Sequence, residues 1–266
     1  MLDFLLLDGT IIMCTLALYF KVLRDHPLLV AANRDEHYDR PSAPPAIVGS
    51  CPAILAGKDL RAGGTWLGVN EYGVLVGILN RRQKPASLPR DTYRSRGLLC
   101  LELLRLKGVK DLDQVLAALN PNDYQPFTVV CADAESACAA YNNDQSIEQI
   151  RLADGLHVFS NSFEFGAPSD KTNRVYQAFS KIAEPGNRLL GEQDYVIRAA
   201  KVLGDHASSD HSNGPREAIC VHGDISGTVS SSIICLSDAA RQFRTYYCAG
   251  APCRHPFRPY PSVDLR

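Results

Sequence analysis

The sequence predicts an α+β fold in which two stacked sheets are covered by helices on their outer sides. Three observations carry this. Apolar, β-prone runs with turn signals fill the first third of the chain, helical periodicity follows, and strand-like runs return towards the end. No internal repeat or sharp compositional break divides the chain, so residues 13–266 are expected to form a single domain.

Taken in order, Leu16 to Val22 reads as a strand, and the turn Asp25-His26-Pro27 leads into a second, Leu28 to Ala32. The two are expected to pair antiparallel, which brings Cys14 near Asn33. Pro41 to Pro45 reads as a loop. Thr65 to Val69 and Val74 to Leu79 flank Asn70-Glu71-Tyr72-Gly73, a hairpin pattern. Arg94 to Leu106 and Leu112 to Leu119 read as helices, with Leu99, Leu103 and Leu106 on one face of the first. Four strands follow: Phe127 to Ala132, Ser136 to Tyr141, Ile147 to Leu152 and Leu156 to Ser160. Asp170 to Ile182 and Gln193 to Leu203 read as helices. Asp205 to Pro215 is a polar loop, Ser230 to Leu236 and Gln242 to Cys248 are strands, and the tail from Pro252 reads as an irregular arm.

Composition excludes several classes. With 28 basic and 29 acidic residues and no basic stripe, nucleic-acid binding is unsupported. No run of about 18 uncharged apolar residues is present, so no integral membrane segment is expected. Nine cysteines, an odd number scattered through apolar segments, suit a reducing compartment and a cytoplasmic location. Cys131 with Cys138, and Cys248 with Cys253 near His255, lack the two-residue spacing of a zinc knuckle, and His206 and His211 sit in the polar loop, so no metal is expected. Residues 1–12 carry two aspartates and have neither a positive n-region nor a small-residue cleavage site. They read as a non-native or removed extension rather than a signal peptide.

If that extension is absent and Met13 is lost, Cys14 gains a free α-amine beside its thiol. Such an amine titrates near ~8 and can serve as a general base for its own nucleophile. The competing reading is a small buried hydrophobe at a strand start. Asn33-Arg34-Asp35-Glu36 reads either as an exposed turn or as a site in which Arg34 favours a Cys14 thiolate, Asp35 orients the α-amine and Glu36 supports them. Asn80 and Asn161 end strands, as turn formers or as oxyanion donors. Gly63-Gly64-Thr65-Trp66 either shapes a turn or lets backbone approach a ligand, and Trp66 is the only tryptophan. No serine-hydrolase elbow, P-loop, H-E-x-x-H or dinucleotide motif occurs.

Asn33-Arg34-Asp35-Glu36, Gly63-Gly64-Thr65-Trp66-Leu67-Gly68 and Ser95-Arg96-Gly97, in that order, resemble the NRDE family, also called the transport and Golgi organisation 2 family. Met13-Cys14-Thr15 and the stretch from Val69 to Asn80 are more distantly similar to choloylglycine hydrolases. The resemblance implies an N-terminal-nucleophile hydrolase fold, a four-layer αββα sandwich. It implies Cys14 as nucleophile, with Arg34, Asp35, Asn80 and Asn161 as catalytic partners, and Asn33, Gly64, Thr65 and Trp66 contacting substrate. Val229 stands where such proteins often carry a late arginine. The implied activity is cleavage of a small non-peptide amide without a cofactor. The alternative is a non-catalytic trafficking protein that handles haem or lipid.

Overall fold

The structure is a computed structural model that describes residues 14–81, 93–143, 145–161, 170–184, 186, 190–206 and 218–266. The expected extension at residues 1–12, His211 and most of the polar loop after Asp205 lie outside the described residues.

Two antiparallel sheets stack face to face. The first contains β1 (Thr15–Leu23), β2 (His26–His37), β10 (Gly155–Ser160), β11 (Ser226–Ser237), β12 (Gln242–Cys248) and β13 (Arg258–Asp264), in the order β10-β1-β2-β11-β12-β13. The second runs in sequence order from β3 to β9. Its strands are β3 (Ser42–Val48), β4 (Ile54–Asp59), β5 (Leu67–Asn70), β6 (Leu75–Asn80), β7 (Phe127–Ala132), β8 (Ala137–Asn142) and β9 (Ile147–Arg151).

Alternation along β1 shows how the layers form. Leu16, Leu18 and Phe20 enter the core between the sheets, while Ala17 and Tyr19 face outwards to the helices α3 (Asp170–Ser180) and α4 (Glu192–Leu203). On the far side, α1 (Arg96–Leu103) and α2 (Leu112–Ala117) cover the second sheet through Leu99, Leu103 and Leu112. The result is the expected αββα stack. Among the described residues no helix is long and apolar enough to cross a membrane.

The hairpin turn is held by Asn70, whose side-chain oxygen accepts from the N–H groups of Tyr72 and Val74, while Gly73 supplies a φ of 88°. Three expectations change. Pro41 to Pro45 is not a loop throughout: Ser42 opens β3, which holds its prolines because it is an edge strand with a register shift between Ala43 and Ala46. β4 was not legible as a strand. The tail forms β13, another edge strand, where Pro259 and Pro261 are tolerated for the same reason.

Candidate active site

The motif Asn33-Arg34-Asp35-Glu36 lies inside β2, and the pleat sends its side chains alternately to opposite faces. Arg34 and Glu36 turn towards the second sheet. Arg34 reaches Asp59 at 3.2 Å and Glu36 at 3.5 Å, and Arg40 closes the network to the same two carboxylates at 2.8 and 3.4 Å. The Arg34 guanidinium also stacks 4.4 Å from the Trp66 ring centroid. Burial works against the Asp59 carboxylate, but N–H groups of Ala62 and Arg61 and the Arg40 guanidinium outweigh it and hold its pKa below the usual value.

Asn33 and Asp35 turn the other way. Asn33 donates to the carbonyls of Leu203 (3.0 Å) and Ile219 (2.9 Å) and accepts from Ser231 at 2.6 Å. Asp35 meets the fully buried Lys171 of α3 at 3.3 Å and accepts from the Thr228 hydroxyl at 2.6 Å. Its burial pushes the carboxyl pKa up, against the opposing pull of Lys171 and Thr228. These contacts fasten the strand to the helix layer.

A pocket of about 340 Å³ opens at this end of the stack, within the range of small-molecule sites. Cys14, Arg34, Trp66, Asn80 and Arg96 line it. Cys14 stands at the start of β1, whose register pairs Thr15 with Asn33 on one side and Ser160 on the other. One step further along the same ladders, Cys14 is flanked by Arg34 and Asn161. Its thiol donates to the Asp35 carbonyl at 3.5 Å.

With its nitrogen in a peptide bond, this thiol is no ready nucleophile. Burial, then the charge of Asp35, with Glu36 adding to them, push its pKa up to about 12, against the weaker opposing pulls of a hydrogen bond with the Asp35 backbone and of the Arg34 charge. Arg34 acts in the expected direction, pulling the thiol pKa down, but it is outweighed by burial and Asp35, and its charge is shared with Asp59 and Glu36.

Gly64 and Thr65 border the pocket, and their motif has a packing reason. A Cβ on Gly64 would lie 2.2 Å from the Gly97 carbonyl carbon, and Thr65 N–H donates to the Gly97 carbonyl at 3.0 Å. The two glycine motifs thus dock backbone to backbone. Trp66 lies over Gly57, where a Cβ would come within 2.9 Å of the ring. Asn80 is exposed at the end of β6 and lines the same pocket as Cys14. Asn161 is buried on the β10 side. Asn33 does not line the pocket; its side chain is committed to α4 and β11.

Lys171, Thr228, Arg40, Asp59 and Arg96 were not singled out as site residues. Lys171 looks like any lysine in the first turn of a helix, and Asp59 ends the strand that was missed. Arg96 was signalled by its place in Ser95-Arg96-Gly97. It donates to the Pro126 carbonyl at 3.0 Å; burial, reinforced by Arg40, brings its pKa down to about 10, so it remains a cation at neutral pH.

Solved structures with the same architecture include penicillin V acylase from Agrobacterium tumefaciens (TM-score 0.56, 11% identity, 95% of this chain and 99% of that one). A variant of conjugated bile acid hydrolase from Clostridium perfringens also matches (TM-score 0.57, 10% identity, 95% and 98%). These are N-terminal-nucleophile hydrolases, and the fold is theirs. The Bos taurus Transport and Golgi organization protein 2 homolog is 31% identical over 205 residues, 74% of this chain and 70% of the relative. The Homo sapiens homolog is 31% identical over 146 residues, 51% of this chain and half the length of the relative. A sequence profile of the family described as Transport and Golgi organisation 2 matches residues 13–246. Similarity over that span means that the chain belongs to the Transport and Golgi organisation 2 family.

Proposed function

We propose that this protein is a cysteine N-terminal-nucleophile hydrolase that cleaves a small non-peptide amide once the Cys14 nitrogen is free. The observation that carries the reading is Cys14 at the strand start, opening into a pocket walled by Arg34, Arg96 and Asn80. The family match beginning at Met13 supports it.

In this reading the Cys14 sulfur attacks the amide carbon while its proton passes to the α-amine, and that ammonium then protonates the departing amine nitrogen. Water hydrolyses the resulting thioester, with the α-amine again as base. The carboxylates that oppose a lone thiolate favour an ammonium beside it, so Asp35 and Glu36 assist the transfer. Asp35 also positions the sulfur through its carbonyl. Asn80 and Asn161 are assigned to the oxyanion, where losing one donor typically costs about 3–4 kcal/mol. Arg34 and Arg40 are paired with Glu36 and Asp59, so an anionic group on the amide is assigned to Arg96.

The test compares three proteins by intact mass after exposure to amide substrates and acyl probes: free Cys14, Cys14→Ala, and the chain retaining residues 1–13. Only the first is expected to form a thioester and turn over. Acylation surviving in Cys14→Ala would sink the reading, as would its absence from the free-Cys14 protein.

A binding role of the trafficking kind is the second reading, favoured by the match to the Transport and Golgi organisation 2 family over residues 13–246. Among the described residues no histidine lines the pocket, so in this reading Cys14 is the candidate axial ligand for haem iron. A protein that only binds an anionic or lipid ligand would keep its affinity in Cys14→Ala and form no adduct.

A further inference from the structure

The cysteine and histidine spacings in the sequence did not point to a metal, but folding regroups these residues. Cys248 donates to the carbonyls of Gly250 and His255 at 3.5 and 3.3 Å. Cys253 instead meets two residues about thirty positions earlier. Its sulfur lies 3.6 Å from that of Cys220 and 3.1 Å from His222 Nε2, while Cys220 and His222 Nε2 are 3.7 Å apart. The His206 ring stands edge-on to His222, with centroids 5.8 Å apart. Ligand atoms of His206, His222 and Cys253 all lie within 4.8 Å of one another.

We propose that Cys220, Cys253, His222 and His206 hold one tetrahedral ion of the Zn²⁺ type. Zinc–sulfur bonds of about 2.3 Å and zinc–nitrogen bonds of about 2.0–2.1 Å give tetrahedral edges of roughly 3.8 Å between sulfurs and 3.5 Å between sulfur and nitrogen. The observed separations straddle those edges, so small side-chain shifts complete the site. Two thiolates with two imidazoles form a donor set that suits zinc better than oxygen-seeking ions.

The scaffold holds the ligands together without the ion. Cys220 N–H donates to the Asp205 carbonyl at 2.8 Å. Gly204, lacking a Cβ, lets the chain after α4 lie against the backbone of Cys253. The ion would clamp three segments: the end of α4, the approach to β11 and the turn after β12. Between two of the ligands, Val221 N–H donates to Thr228 at 2.9 Å, and Thr228 donates to Asp35. The clamp therefore supports the outer face of β2, whatever chemistry occurs at Cys14.

The test titrates the reduced full chain with Co²⁺ and Zn²⁺ alone. One equivalent should bind, with the visible bands of tetrahedral cobalt and thiolate-to-cobalt charge transfer, and Zn²⁺ should displace the cobalt. Cys253→Ala and His222→Ala should each weaken binding by more than the roughly 100-fold that loss of an outer-shell partner can cost. His206→Ala, at an exposed position where folding is least at risk, should keep charge transfer but bind more weakly. Cys248→Ser should behave as the parent. The proposal fails if no stoichiometric metal binds or if the cobalt spectrum is unchanged in both Cys253→Ala and His206→Ala. It fails equally if the protein as isolated contains a Cys220–Cys253 disulfide and no metal.

Discussion

On the face of β2 that looks between the sheets, Arg34 and Glu36 join Arg40, Asp59 and the Trp66 ring around an open pocket. On the opposite face, Asn33 and Asp35 are sealed against α3, α4 and β11, with Lys171 wholly buried beside the carboxylate. Neighbouring residues of one motif therefore do different work. The inner pair has redundant partners, two guanidiniums shared between two carboxylates. The outer pair is held by neutral hydrogen bonds and the Asp35–Lys171 ion pair in a place water does not reach, so each contact there matters more to stability.

The largest expected effect tests the outer face. Lys171→Met strands a buried carboxylate and should cost about 3–5 kcal/mol, read as a fall in the denaturant midpoint. Adding Asp35→Asn should recover part of that loss. If Lys171→Met is neutral, the division between the faces is wrong. Next comes the inner thiol, in the chain that keeps residues 1–13. With its pKa pushed from 9.0 to about 12, Cys14 should be alkylated by iodoacetamide about 1,000-fold more slowly in the folded protein than in the urea-unfolded chain, because far less of it is thiolate. The sign follows for stability. The unfolded chain releases this proton near the ordinary value of 9.0 while the folded chain retains it, so stability should fall as pH rises from about 9 towards 12. Peptide mapping of alkylation against pH checks the first, and alkaline unfolding of Cys14→Ala against the parent checks the second.

Asn33→Ala should cost about 1–3 kcal/mol, because the Leu203 and Ile219 carbonyls and the Ser231 hydroxyl lose a buried partner. It should leave ligand binding in the pocket unchanged, which sharpens the contrast with Arg34. Arg34→Lys keeps the charge but loses the two-pronged contact and the stack on Trp66. Its stability cost should be the smallest, about 0.5–1 kcal/mol, with the larger change in ligand affinity.

Much of the layering was legible in residue order. Alternation in Leu16 to Phe20 and Leu28 to Ala32, the Asn70 to Gly73 turn, and helical spacing of Leu99 and Leu103 are local signals, and local backbone geometry reads them directly. β3 and β13 were hidden by prolines, which only an edge position tolerates, and edge position is a property of the whole sheet. In the pocket, Cys14, Arg34, Trp66 and Asn80 were legible from strand ends and motifs. Lys171 was not, because nothing in its neighbourhood along the chain marks a lysine that folds against a carboxylate 136 residues away.

By itself, the sequence determined the strand and helix periods, the glycine motifs and the residue types available to the site, since these depend on neighbours a few positions apart. Tertiary structure alone decided which face each member of Asn33-Arg34-Asp35-Glu36 serves and how far Cys14 is desolvated. It also decided that Cys253 meets Cys220 and His222 rather than Cys248. All three depend on burial and on partners brought from distant segments, and electrostatics acts through space, not along the chain.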